Sequence, residues 1–260
     1  MPSIFGPESP DPELYPSDET YQKAFDQLQK SIREIEETGG VPLSMEHPIH
    51  IFPHSALNYG AQYPYSFQSD IQIMDHRLDI QNQEETTEIE LAADKTNPTI
   101  FPDRFFYSIT SPIITIRHPA LLKRTSRYHW ERLVFESYKS RGTRVIVVDG
   151  EKLVKDTKGQ MKKVCEELGL DESQIQYTWD SGDGQKDGHY SHLPVPVTDA
   201  FMGTLHGSKG VIYRQRDEIL DLVAEGRKWA EEWDEELART MCELVKSSLE
   251  DYEYLLQFSI

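Results

Sequence analysis

The sequence predicts an α/β protein, with a parallel sheet of about four strands flanked by helices on both faces, in three layers. Two apolar runs carry this prediction, PIITIR at 112–117 and RVIVVD at 144–149, because continuous hydrophobicity is typical of strands buried on both faces. Each run is followed by a helix-like segment, and alternating strands and helices favour parallel pairing. A chain of 260 residues suits one α/β domain, so we expect a single domain over 1–260.

An amphipathic helix is predicted before the sheet. It opens at Pro16 and Ser17 and ends at Gly39-Gly40, because apolar residues between them recur at three- and four-residue steps. Those apolar residues are Tyr21, Phe25, Leu28, Ile32 and Ile35. The run that follows, VPLSMEHPIHIF at 41–52, is interpreted as a short strand leading into a loop.

A long polar segment, residues 60–97, is predicted to be an insertion beside the functional site. It holds eight Asp or Glu residues against Arg77 and Lys95. Segments of this length and composition within a compact domain are usually lids, insertions or disordered stretches.

Local signals place the helices that flank the two strands. FPDRFFYSI at 101–109 predicts a short helix before the first strand, and Pro119 opens a helix that runs to about Tyr138. A third helix is expected over 156–168, where Gly169 supplies the stop.

The chain beyond residue 179 is predicted to form a loop, a short helix and a C-terminal helical extension. The loop covers 180–196, the short helix lies within 199–211, and the extension over 215–260 contains two acidic helices. One apolar face of this extension is expected to pack on its own domain. A homodimer formed through it is the alternative. The apolar residues are Leu237, Met241, Leu244, Tyr252 and Leu255.

The overall charge argues against polyanionic partners. With 27 Lys or Arg and 45 Asp or Glu, the formal net charge is −18. Such a surface repels nucleic acid and anionic membranes, and we expect neither as a partner. No apolar run has the length of a signal peptide or the roughly 18 residues of a membrane span. A soluble, cytoplasmic protein is therefore expected.

Metal binding is not predicted. Cys165 and Cys242 lie among apolar neighbours without metal-ligand spacing, which favours reduced thiols in a core. Asp180, Asp183 and Asp187 follow one another in a loop, but no glutamate occupies the closing position of a calcium loop. A solvated turn is expected there.

Positive charge is concentrated after the first strand. From Arg117 to Arg144 there are eight Lys or Arg residues against two Glu. In parallel α/β sheets ligands bind outside the carboxyl ends of the strands, and an arginine beside a helix N-terminus attracts anions. The pattern favours a phosphate site. A solvated basic helix face, paired with the acidic surface, is the alternative.

The residues at this strand end resemble those of a known family. An Arg-His-Pro sequence ending a strand, with a hydroxyl residue eight positions after the arginine, is similar to the sulfotransferases, particularly the divergent sulfotransferase-like proteins of fungi. The resemblance implies a degenerate fold of the P-loop superfamily. It also implies that Arg117 and Thr125, with Ser126 adjacent, bind the adenosine-side phosphate of phosphoadenosine phosphosulfate (PAPS).

Two further segments support the resemblance, and two family features are missing. The segment 144–173 resembles the family's next strand, acidic turn and helix, and 200–211 resembles its late helix and Ser-Lys-Gly turn. The family's opening strand and phosphosulfate loop are missing, and its Lys-x-His motif reads Met45-Glu46-His47 here. One lost donor in such a site costs roughly 2.7–4 kcal/mol. No PAPS cofactor is therefore expected.

His47 is the candidate catalytic residue on this interpretation. A histidine titrates near neutral pH and can move protons as an acid or a base. Glu46 is its neighbour, although adjacent residues of a strand face opposite ways. His50 and His54 follow closely in the sequence and could share the pocket. A histidine that is hydrogen-bonded for structural reasons is the alternative.

Aromatic residues after His47 are predicted to line an apolar cavity. They lie in the loop 53–68 and would suit an uncharged polycyclic or polyketide-like substrate. They are Tyr59, Tyr63, Tyr65 and Phe67. Packing of the loop onto the core is the alternative explanation for these aromatic side chains.

Three functions are compatible with these patterns. The first is a repurposed small-molecule enzyme of specialised metabolism, performing cyclisation, isomerisation or similar acid–base chemistry without PAPS. The second is a PAPS-dependent sulfotransferase truncated at its N-terminus. The third is a non-catalytic binding protein.

Overall fold

The computed structural model describes residues 20–47, 51–53, 73–75, 97–121, 128–180, 203–213 and 220–260. Contacts group the chain into two compact units. One comprises Met1–Ser44 and Gln176–Val211, and the other comprises Met45–Ile175 and Ile212–Ile260. The second unit contains the sheet.

The first unit contains the predicted amphipathic helix. This helix, α1, covers Tyr21–Glu37 and begins at Thr20, whose side chain accepts a hydrogen bond from the backbone N–H of Lys23. Such a cap satisfies one of the N–H groups that a helix start leaves unpaired. The helix is therefore confirmed, with Thr20 as its cap. Residues 16 and 17, where the start was predicted, lie outside the described residues.

The strand predicted at 41–52 is wrong for the part of this run that is described. Residues 41–47 have no regular structure, and Val41, Leu43 and Met45 are exposed. Apolar residues at alternate positions form a strand only when a neighbouring backbone pairs with them and a core covers them. The described residues supply neither. Residues 48–50 lie outside the described part of the chain.

The other described part of the first unit is a small antiparallel contact. Thr178 pairs with Gly210, and the indole N–H of Trp179 donates to the carbonyl of Leu205 at 3.3 Å. Helical backbone over 203–206 confirms the short helix predicted within 199–211. The loop predicted at 180–196 lies outside the described residues beyond Asp180.

The second unit contains both predicted strands, paired in parallel. β1 covers Ile113–Ile116 and β2 covers Ile146–Asp149, in a register that aligns Ile113 with Ile146 and Ile116 with Asp149. The mixed α/β class is therefore confirmed. The described residues are mostly helical around this two-stranded sheet, and the further strands and three layers of the prediction are not seen in them.

Helices follow each strand, with two differences from the prediction. The helix predicted from Pro119 begins as a short 3₁₀ turn, residues 122–127 are not described, and regular helix starts only at His129. The acidic turn expected after β2 is itself a short helix. The remaining elements are α2 (Asp103–Phe106), the 3₁₀ turn Pro119–Leu121, α3 (His129–Ser140), α4 (Gly150–Lys155), α5 (Thr157–Leu168), the 3₁₀ turn Glu172–Gln174, α6 (Leu222–Glu232) and α7 (Glu235–Leu256).

The two C-terminal helices pack on the second unit through their apolar sides. Tyr252 and Leu255 of α7 join the core formed by β1, β2 and α3, whereas Met241 and Val245 pack with Trp229 of α6. This confirms that the stripe packs on the chain's own core. Leu237, which was assigned to the stripe, is 42% exposed.

Candidate functional site

Three of the described basic residues that follow β1 each contact a different partner in the second unit. Arg132 pairs with Asp251 at 2.8 Å, Arg144 bonds Glu167, and the guanidinium of Arg141 lies 3.5 Å from the ring centroid of Tyr107. These three cations therefore serve the solvated basic face that was the alternative to a phosphate site.

A cluster of polar side chains lies where the two strands end. Because parallel strands end at the same edge of a sheet, residues that follow β1 meet residues that follow β2. Tyrosines from α7 and from the start of α3 complete the group. We call it the strand-edge cluster, and its members are Arg117, His118, Tyr128, Asp149, Glu151 and Tyr252.

Arg117 is paired with a carboxylate of its own chain. Its Nε donates to Oε1 of Glu151 at 2.7 Å, and both side chains are about one-third exposed. Among the described residues, the other oxygen of Glu151, Oε2, accepts no hydrogen bond. Glycine at position 150 allows the backbone before Glu151 to lie close to the end of β1, because a Cβ there would lie only 3.3 Å from the carbonyl oxygen of Ile116.

Tyr128 fixes the backbone of Arg117. Its hydroxyl accepts the N–H of Arg117 at 2.8 Å and donates to the carbonyl of the same residue at 2.6 Å. A buried phenol that makes two hydrogen bonds holds the strand end firmly. Burial also raises the pKa of Tyr128 well above its ordinary value.

Asp149 is the buried centre of the cluster, only 3% exposed. Its Oδ1 accepts from the backbone N–H groups of Glu151 and Lys152, at 2.9 and 2.8 Å, and thereby caps α4. Its Oδ2 accepts the hydroxyl of Tyr252 at 3.2 Å. Burial raises the pKa of Tyr252, and the charge of Asp149 raises it further.

His118 is the histidine of this cluster, half-buried and in edge contact with the ring of Tyr252. Its Nδ1 accepts the backbone N–H of Ala120 at 3.2 Å, which places the proton of the neutral ring on Nε2. Burial lowers the pKa of His118, although the negative charges of Asp149, Glu151 and Glu253 act in the opposite direction. The ring is therefore a neutral hydrogen-bond donor near neutral pH.

The structure describes only some of the residues predicted from the sequence to form the site. Arg117 lies at the strand end, as predicted. Glu46 and His47 lie in the exposed stretch without regular structure. The remaining predicted residues are outside the described part of the chain: Thr125, Ser126, Tyr59, Tyr63, Tyr65 and Phe67, together with His50 and His54.

Sequence reasoning missed five members of the cluster, and two of them carried a usable signal. His118 follows Arg117 directly, and Asp149 is the last residue of a buried strand, which is where α/β proteins place polar groups that meet ligands. Tyr128, Glu151 and Tyr252 carried no such signal. Tyr252 reaches Asp149 across 103 residues of chain.

Comparisons with known proteins supply no relative. The chain matches no protein-family model, no curated protein and no solved structure at a significant level. Among the described residues, no three His, Cys, Asp or Glu side chains are arranged to hold a metal ion. None of the described helices has the length and apolar character needed to cross a membrane.

Proposed function

We propose that this chain is a small-molecule enzyme that moves a proton next to a carbonyl group, as in an isomerisation or cyclisation, without PAPS. The observation that carries the proposal is the state of His118. Its ring is partly buried, its Nδ1 is occupied by a backbone N–H, and its Nε2–H is the donor that remains. A neutral imidazole donor stabilises the negative charge that develops on a carbonyl oxygen.

Glu151 is the proposed base. Its Oε2 takes a proton from the carbon beside the carbonyl, and the electrons of that C–H bond move into an enolate whose oxygen accepts the Nε2–H of His118. In an isomerisation, the electrons of the enolate shift to a carbon conjugated with it, and the carboxyl group returns the proton there. In a cyclisation, the enolate carbon forms a C–C bond to an electron-poor alkene carbon of the same substrate, the π bond of that alkene breaks, and its other carbon takes the proton back from the carboxyl group. Neither course needs an oxidant or reductant. Arg117 is a positioning residue, because its Nε holds Oε1 of the base.

The charges of the cluster favour an uncharged substrate. The negative charges of three acids raise the pKa of His118: Asp149, Glu151 and Glu253. Arg117 is a cation of the cluster, and it is paired with Glu151. A dianionic group placed here would meet these carboxylates at short range, which is costly in a partly dehydrated site. The described residues of the cluster therefore do not favour the phosphates of PAPS. A carbonyl compound of specialised metabolism fits the cluster better.

The proposal is tested by deleting the gene in the source organism and restoring it as wild type or as His118→Ala. The deletion strain should accumulate a carbonyl compound that is an isomer of the missing product, and His118→Ala should fail to restore the product. In a parallel titration, adenosine 3′,5′-bisphosphate should release no heat on mixing with the purified protein.

Two results would count against the proposal. A missing product heavier than the accumulated compound by one sulfate group, or tight binding of the bisphosphate, would favour the sulfotransferase. Unchanged metabolites in the deletion strain would favour the non-catalytic binding protein.

A further inference from the structure

Glu131 carries a carboxyl group on the face of α3 that packs against the core. It lies in the first turn of α3, three residues after Tyr128 and four before Phe135, and both of those rings belong to the buried core. Residues at these spacings share one helix face. Its Oε2 is buried and has no hydrogen-bond partner among the described residues. A buried oxygen without a partner disfavours the ionised form.

Within the part of the chain that the structure describes, the charged groups near Glu131 come from α3 and α7. Across the interface Asp251 of α7 is the acid whose charge acts on Glu131. Asp251 is itself bound by Arg132 at 2.8 Å and lies 3.9 Å from the ring nitrogen of His129. The strands contribute the apolar side chains of Ile114, Ile116 and Val147 to this core, and the carboxylate of Asp149 in β2 accepts the hydroxyl of Tyr252 beside it. No cation is bonded to Glu131 itself among the described residues.

Burial raises the pKa of Glu131 from its usual acidic range to about 7. A hydrogen bond from its own backbone N–H acts in the opposite direction, and the charge of Asp251 adds to the rise. The buried, unpartnered oxygen and the nearby charge of Asp251 therefore both favour the protonated form of Glu131. The folded protein therefore favours the protonated carboxyl group, and ionisation of Glu131 lowers the stability of the fold.

We propose that Glu131 is a proton-operated switch of the junction between α3 and α7. Protonated, it packs as a neutral side chain. Ionised, it repels Asp251 and leaves a charge buried beside the core, so that the start of α3 loosens from α7. Tyr128, at the start of the same helix, transmits this change to the strand end, because its hydroxyl holds both backbone polar groups of Arg117.

The sign of the effect on stability follows from the raised pKa. Between about pH 4.5 and 7 the folded protein keeps a proton that the unfolded chain has released, so folding weakens as the pH rises. The contribution changes the unfolding equilibrium constant by up to about tenfold per pH unit. Above pH 7 both states have lost the proton, and the contribution is gone.

The direct test is a pH titration of the wild-type protein by carbon-detected NMR. The side-chain carboxyl carbon of Glu131 should titrate with a midpoint near 7, and the backbone amide of Arg117 should shift with the same midpoint. A midpoint near 4.5 for Glu131 would overturn the proposal. Because the titration uses the wild-type protein, it does not depend on the folding of a variant.

A matched pair of variants tests the coupling. Glu131→Gln mimics the protonated form, so its unfolding constant relative to wild type should fall on the order of fiftyfold between pH 5 and 8. In Glu131→Gln, the backbone amide signal of Arg117 should no longer show the pH-dependent shift that has its midpoint near 7 in the wild type. Glu243→Gln removes the same charge from an exposed position of α7 and should follow wild type throughout. Parallel stability curves for Glu131→Gln and wild type would refute the switch.

Discussion

Replacing Asp149 with alanine should lower the free energy of unfolding by about 3 kcal/mol. Two losses add. The two capping hydrogen bonds to the start of α4 disappear, which costs about 0.5–2 kcal/mol. The hydroxyl of Tyr252 also loses its buried acceptor, which costs about 1–3 kcal/mol. Urea denaturation at pH 7 measures the sum.

Two further variants separate these contributions. Asp149→Asn keeps a good capping residue, so it should cost clearly less than the alanine variant. Asp156→Ala removes the exposed cap of α5, which makes a single bond to the N–H of Gly159, and should cost about 1 kcal/mol. If Asp149→Ala is no worse than Asp156→Ala, Asp149 is not the structural centre of the strand-edge cluster.

Replacing His118 with alanine should reduce kcat by about 10²–10³-fold on the compound that accumulates in the deletion strain. The reason is the loss of one donor to the oxygen that becomes negative in the transition state. His118→Gln places an amide N–H in the same region and should recover part of the loss. Steady-state kinetics with both purified variants give kcat separately from KM.

The pH profile distinguishes a neutral donor from other roles. The active form is the uncharged ring, and burial lowers the pKa of His118 below its usual value of 6.5. Protonation of His118 should therefore cause no loss of activity as the pH falls from 7 past 6.5, and should reduce activity only at more acidic pH. If His118→Ala works at the wild-type rate while His47→Ala does not, the chemistry belongs to His47.

The parts of the fold that the sequence predicted are those governed by local signals. β1 and β2 are continuous apolar runs, and α5 lies between the capping Asp156 and Gly169, whose φ of 67° is one that glycine adopts readily. Such signals involve neighbours in the sequence. They do not depend on which elements meet later in the fold.

The missed features depend on tertiary contacts. The stretch 41–47 has the alternating apolar pattern of a strand but no paired neighbour among the described residues, and no local signal reports a missing neighbour. Arg117 was predicted at the strand end, yet its partner Glu151 is 34 residues further along the chain. The charge of the site therefore depends on the pairing of β1 with β2, which the sequence does not specify residue by residue.

NMR mapping shows whether the substrate binds at the carboxyl ends of β1 and β2. The compound that accumulates in the deletion strain is added to ¹⁵N-labelled protein carrying the inactive His118→Ala change. We expect the backbone amide signals of Arg117, Gly150 and Glu151 to shift in a saturable way while those of 41–47 do not. Saturable shifts confined to 41–47, with the strand ends unchanged, would show that the substrate binds elsewhere than at the strand ends.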